Sequence, residues 1–225
     1  MKTGRVALLY ALALLLPLVI SAETLDRIAV TVGKHVISER DILQDIRISA
    51  FLDGKVPDFS ADQKSLAADR LIDQYLVLED AMATRSPLPS AEDAAPLLAS
   101  YKARYANDAA FRAALAKAQI SEAELNAHLL AGLRELRYTD VRFRPEVQIS
   151  EESLRAYYEM MMAQASDSGA KNPAPPRTFE QSREAIEKLL TDQQTMQSLD
   201  RWLGMTRNET QILYRDQVFS DKASK

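Results

Sequence analysis

Residues 26–38 read DRIAVTVGKHVIS, and the fold follows from this stretch. Ile28, Val30 and Val32 alternate with Arg27, Ala29 and Thr31 up to Gly33-Lys34, after which residues 35–37, HVI, are again β-prone. Period-two alternation on one side of a two-residue turn that begins with glycine predicts a short β-hairpin. An isolated two-stranded hairpin is marginal in water, so this one needs helices beneath it or another strand beside it. Far down the chain, residues 210–214, TQILY, form a second β-prone stretch, too short to leave its backbone donors and acceptors unpaired. We therefore expect the two ends of the chain to meet in one small sheet.

Between these strands the apolar period is helical. Ser38 precedes an acidic first turn, Glu39 and Asp41, and Ile42, Leu43, Ile46 and Ala50 recur until Gly54, predicting a helix over 39–53. Ser60 with Gln63 opens a second helix striped by Ala68, Leu71, Tyr75, Leu78 and Met82. After Pro87 and Pro89, Ser90 with Asp93 starts a third helix carrying Leu97, Leu98, Tyr101 and Tyr105, and a short helix with Phe111 and Leu115 follows. Ser121 and Glu124 open a longer one striped by Leu125, Leu129, Leu133 and Leu136, with Pro145 as its limit. Beyond extended residues 146–149, Ser150 caps a helix containing Leu154, Tyr157, Tyr158, Met161 and Met162. Residues 164–177, QASDSGAKNPAPPR, have no apolar period and read as an exposed linker. Thr178 with Gln181 then restarts a helix lined by Phe179, Ile186, Leu189, Met196, Leu199 and Leu203, with Gly204 as its expected stop. The fold class expected is mainly α, with a small sheet joining N-terminal strands to a C-terminal strand.

The chain begins with Lys2 and Arg5, an uncharged apolar run over residues 6–20, and the small pair Ser21-Ala22. That is the pattern of a secretory signal peptide cut after Ala22, with an uncleaved short anchor as the other reading. Acidic residues already outnumber basic ones, 32 to 28, and cleavage would remove Lys2 and Arg5 besides. A nucleic-acid binder normally carries a basic stripe that neutralises phosphates, so this balance argues against one. There is no cysteine, so packing and not disulfides must hold the fold. Two histidines far apart, His35 and His128, offer none of the close ligand spacings of a zinc site. Glu39 with Asp41 and Glu151 with Glu152 sit at helix starts, where carboxylates favour the helix dipole. With no glycine-flanked serine elbow and no glycine-rich phosphate loop, we expect no catalytic centre, no metal and no cofactor.

Four segments in order, DRIAVTVGKHVISERDI (26–42), LIDQYLVLEDA (71–81), SEAELNAHL (121–129) and RFRPEVQISEESLRAYYE (142–159), resemble the SurA-like periplasmic chaperones and related parvulin-type chaperones. In that family an N-terminal helical segment and a C-terminal helix form one chaperone module, with parvulin prolyl-isomerase domains inserted between them. The resemblance implies a signal peptide at 1–22, a helical chaperone region at 23–163, a flexible linker at 164–177 where a parvulin domain would stand, and residues 178–225 completing the module. It further implies a periplasmic, ATP-independent holdase for unfolded or extended polypeptides, outer-membrane β-barrel proteins in transit among them, without isomerase activity. Candidate client-binding residues are Tyr101, Tyr105, Phe111, Tyr157, Tyr158, Met160, Met161 and Met162. Core packing is the ordinary role of such side chains. Three consecutive methionines, however, span too wide an angle to face one core, and flexible thioethers suit surfaces that repack around varied partners. The alternative is an envelope adaptor that docks on one folded partner.

Overall fold

The computed structural model describes residues 26–167 and 178–215; the expected signal peptide at 1–22 and most of the expected linker lie outside them. β1 (Ile28–Val32) and β2 (His35–Ser38) pair antiparallel, with Val32 opposite His35 across Gly33-Lys34. Gly33 takes φ +56°, the left-handed conformation that glycine adopts without strain. β3 (Ile212–Tyr214) pairs antiparallel with the other edge of β1, giving the order β2-β1-β3. The ends of the described chain do meet in one sheet, and backbone bonds extend the pairing: Gly33 N–H donates to the Gln211 carbonyl and Arg215 N–H to the Ala29 carbonyl, both at 2.8 Å.

One detail departs from the simple alternation. Ile28 stands opposite Ser38 while Val30 stands opposite Ile37, so β1 holds one extra residue, a bulge at Ala29. The bulge turns Ala29 inward beside Val30 and Val32 and leaves Ile28 46% exposed.

Seven helices follow among the described residues: α1 (Glu39–Asp53), α2 (Ala61–Ala83), α3 (Ala91–Lys102), α4 (Asp108–Ala118), α5 (Glu122–Arg142), α6 (Glu151–Asp167) and α7 (Phe179–Glu209). Their starts are chemical. Ser38 Oγ accepts from the Asp41 N–H at 3.2 Å while Asp41 Oδ2 accepts from the Ser38 N–H at 2.9 Å, and Ser121 with Glu124 and Thr178 with Gln181 repeat the reciprocal cap. Pro145 sits in a 3-10 turn, Arg144–Glu146, just past the end of α5.

Three boundaries differ from expectation. Tyr105 lies beyond the end of α3, and residues 164–167 are still helical, so α6 runs past the predicted linker start. Gly204 does not stop α7, which continues to Glu209. A glycine inside a helix costs only about 1 kcal/mol relative to alanine, and the contacts around it outweigh that. Leu203 is buried, and one turn after it Arg207 grips α2: Nε donates to Asp73 Oδ1 at 2.7 Å, Nη1 to Asp69 Oδ1 at 3.1 Å and Nη2 to the Asp69 carbonyl at 2.9 Å.

The main core joins the sheet (Ala29, Val30, Val32, Ile37) to α1, α2, α5 and the C-terminal half of α7. Trp202 of α7 packs 5.7 Å from the Tyr138 ring and 6.1 Å from Phe143, so the last long helix is integral to the fold. A second cluster gathers Ile48, Phe111, Leu115, Ile120 and Leu125. α6 lies against the first half of α7 as an antiparallel pair, with Glu151 at 2.6 Å from Arg183 and the Tyr158 ring 5.6 Å from Phe179. Among the described residues no helix is long and apolar enough to cross a membrane.

Candidate functional site

The stripe predicted on α2 is only in part the side that enters the core: Ala68 is inside it and Leu71 and Tyr75 pack against its edge. Ala68, Ile72, Leu76 and Val77 are buried, whereas Leu71, Tyr75 and Leu78 are half-buried and Met82 is 68% exposed. The helix carries more apolar residues than one face can hold, because α1, the sheet, α5 and α7 all contact it. On α5 likewise, Tyr138 and Thr139 are buried in place of Leu136, which is 56% exposed. On α7 the expected Ile186, Leu199 and Leu203 are buried, but Leu189 and Met196 face solvent.

The displaced α2 residues line a groove. Leu71, Tyr75 and Leu78 face Ala131, Arg134 and Glu135 of α5, with Leu88 from the α2–α3 connector, around an apolar pocket of about 200 Å³. Arg134 Nε donates to the Pro89 carbonyl at 3.0 Å, which ties the connector to α5. The His35 ring stacks on Tyr75 at 4.1 Å and 5°, so the hairpin steadies that side chain. A second pocket of about 220 Å³ adjoins the first, lined by Asp41, Gln44, Asp45 and Ile48 of α1 and by Glu124, Ala127 and His128 of α5. Both pockets share Leu71, Gln74 and Ala131, so they are two ends of one groove, apolar at one end and polar at the other. Ala127 and Ala131, four residues apart on one helical face, leave the room that larger side chains would fill.

The polar end is built around Asp45. Its side chain is almost wholly buried; Oδ2 accepts from Arg70 Nε at 3.2 Å, while Oδ1 is buried without a hydrogen bond and lies 3.5 Å from His128 Nδ1. Burial holds the His128 pKa below the usual histidine range; Asp45 opposes that shift and Arg70 adds to it. Burial pushes the Glu135 carboxyl up, with Asp73 adding to it. It also pushes the Tyr75 hydroxyl up, assisted by Glu79.

The sequence-predicted binding residues fall elsewhere, in two groups. Phe111 is 1% exposed in the second cluster, so it is a core residue and not part of a binding surface. Its neighbour Tyr105, 5.3 Å away edge-on, is half-buried over the same cluster, and Tyr101 is half-buried with the Arg104 guanidinium 4.2 Å above its ring. Tyr157, Tyr158, Met161 and Met162 are half-buried on α6, where Met160 is 45% exposed. Leu71, Tyr75 and Leu78 were missed as a site because their spacing is that of a core stripe, and Leu88 because it stands alone in a proline-flanked connector. The signal that could have exposed them is the second apolar set on the same helix, Ile72, Leu76 and Val77. Among the described residues no cluster of His, Asp and Glu could hold a metal ion. No family model matches the chain, and no curated protein matches it. The likeness to SurA-like chaperones therefore rests on the motifs quoted above.

Proposed function

We propose that the protein is an ATP-independent holdase that binds extended segments of unfolded polypeptide and slows their aggregation. The observation that carries this reading is the α1–α2–α5 groove, whose apolar floor of Leu71, Tyr75, Leu78 and Leu88 is open to solvent and bordered by charged residues. Such a surface accepts apolar side chains by shape and area, with little demand on the sequence that carries them. Exposed Met160 on α6 supports a further apolar contact of the adaptable kind. The leader-like residues 1–22 support a periplasmic setting, with unfolded outer-membrane proteins as clients. The short 164–177 segment, where the resembled family carries an isomerase domain, supports binding without prolyl isomerisation.

Light scattering by a denatured outer-membrane β-barrel protein, diluted into buffer with the purified protein and compared with a soluble aggregating control, tests this. At modest excess the protein should slow aggregation of both clients. Ala131→Trp, which fills the junction of the two pockets without removing a core side chain, should abolish most of the effect while leaving the fold cooperative. Aggregation unchanged by the wild-type protein would sink the holdase reading. Capture of one folded partner with no effect on denatured clients would replace it with the adaptor.

A further inference from the structure

The groove has a polar end that an apolar-binding surface does not need. Among its lining residues are three carboxylates, Asp41, Asp45 and Glu124, with no lysine or arginine. Two of them keep their helix caps through one oxygen each: Asp41 Oδ2 accepts from the Ser38 N–H at 2.9 Å and Glu124 Oε2 from the Ser121 N–H at 2.6 Å. Asp45 adds an independent feature. Its side chain is 2% exposed, Arg70 binds Oδ2, and Oδ1 is buried without a hydrogen bond, the His128 Nδ1 standing 3.5 Å away. A buried acceptor without a partner is costly, and a charged one especially so. Of the cations outside the pocket, Arg70 is bound to Asp45, Arg47 stands over the Phe59 ring at 5.5 Å, and Arg40 and Arg47 are near enough to help hold the Glu124 carboxyl below its ordinary pKa after its Ser121 hydrogen bonds. Around these acids Ile48, Leu71 and Ala131 supply an apolar wall.

We propose that this end of the groove is a subsite for the cationic side chain, lysine or arginine, of a bound polypeptide, whose neighbouring apolar side chain occupies the pocket of Leu71, Tyr75 and Leu78. The proposal rests on the holdase reading and names which segments it prefers. An ammonium or guanidinium on a methylene stem matches an acidic floor behind apolar walls. The shared residues Leu71, Gln74 and Ala131 bring the two pockets within reach of adjacent side chains of one segment. His128 is the built-in competitor: its Nδ1 stands 3.5 Å from Asp45 Oδ1, and protonation places a full positive charge beside that oxygen. The charged groups facing His128 are Asp45 of α1 and Arg70 of α2, with Asp41 and Glu124 closing the pocket.

Two fluorescein-labelled peptides, identical except that a lysine beside a leucine pair is replaced by norleucine, test the subsite by fluorescence anisotropy with the full chain. The lysine peptide should bind about tenfold more tightly, the scale of one charge-assisted hydrogen bond. Asp45→Asn should remove that difference and leave norleucine-peptide affinity unchanged. Glu124→Gln, which keeps the cap, should reduce the difference and serves if Asp45→Asn does not fold. Acidification below the ordinary histidine pKa of about 6.5 should weaken lysine-peptide binding in the wild type and not in His128→Gln. Equal affinities of wild type for the two peptides would overturn the subsite and leave the holdase reading standing. Binding of neither peptide would overturn both.

Discussion

Arg207→Ala tests whether the C-terminal helix is held to the body of the fold through its last turn. The guanidinium makes three hydrogen bonds to α2, to Asp73 Oδ1, Asp69 Oδ1 and the Asp69 carbonyl, and burial at the three side chains is substantial, with 25–30% of each exposed. The carboxylates hold Arg207 firmly protonated despite its burial. An exposed ion pair is worth ~0–1 kcal/mol, and breaking a fully buried one costs ~3–5 kcal/mol. The partly screened geometry here lies between, so removal should cost about 2–3 kcal/mol. For a domain of this size that corresponds to about 5–10 °C in melting temperature. Urea unfolding followed by the fluorescence of Trp202, the only tryptophan and five residues before Arg207, measures it directly. Arg207→Lys keeps the charge but cannot fork, so it should fall between wild type and alanine. A loss below about 0.5 kcal/mol for Arg207→Ala, the scale of an ordinary surface substitution, would refute the claim that this contact carries α7 past Gly204.

Three further outcomes follow from the packing. Gly204→Ala should stabilise the protein by about 0.4–1 kcal/mol, because the position is helical and an added Cβ meets nothing within 4 Å; destabilisation in a thermal melt would show that the helix is broken there. Phe111→Ala should cost about 3–5 kcal/mol in the same urea assay, since the ring is 1% exposed among Ile48, Leu115 and Tyr105. A stable variant with lost client binding would return Phe111 to the surface. Glu135→Gln should stabilise the protein near neutral pH and not near pH ~4. Burial, and then Asp73, raise the Glu135 pKa in the folded state, so the penalty is absent while both states are protonated. It grows as pH rises through the ordinary carboxylate value and is complete above the raised one. Equal gains at both pH values would show that Glu135 acts through packing and not through its charge.

Helix existence was legible because caps are local chemistry. Ser38 with Asp41, Ser121 with Glu124 and Thr178 with Gln181 mark helix starts within a few residues of chain, and all three caps form as read. Helix ends were less legible where a distant contact competes: nothing near Gly204 in sequence announces that Asp69 and Asp73 will hold the next turn. Faces were harder still. Leu71, Tyr75 and Leu78 have core spacing, and only the way α5 and Leu88 settle beside them leaves a groove at the edge of the core.

By itself the sequence determined the mainly helical class, the element order, the hairpin turn at Gly33 and the need of the hairpin and the C-terminal strand for each other, since these follow from periodicity, capping and backbone pairing. Tertiary structure alone decided the bulge at Ala29, which apolar residues are left over on α2, and the juxtaposition of Asp45, His128 and Glu124 across α1 and α5. Periodicity states that a helix has an apolar side, but how many neighbours share that side, and so what remains exposed, is set by which other elements, near and far in sequence, come to rest on it.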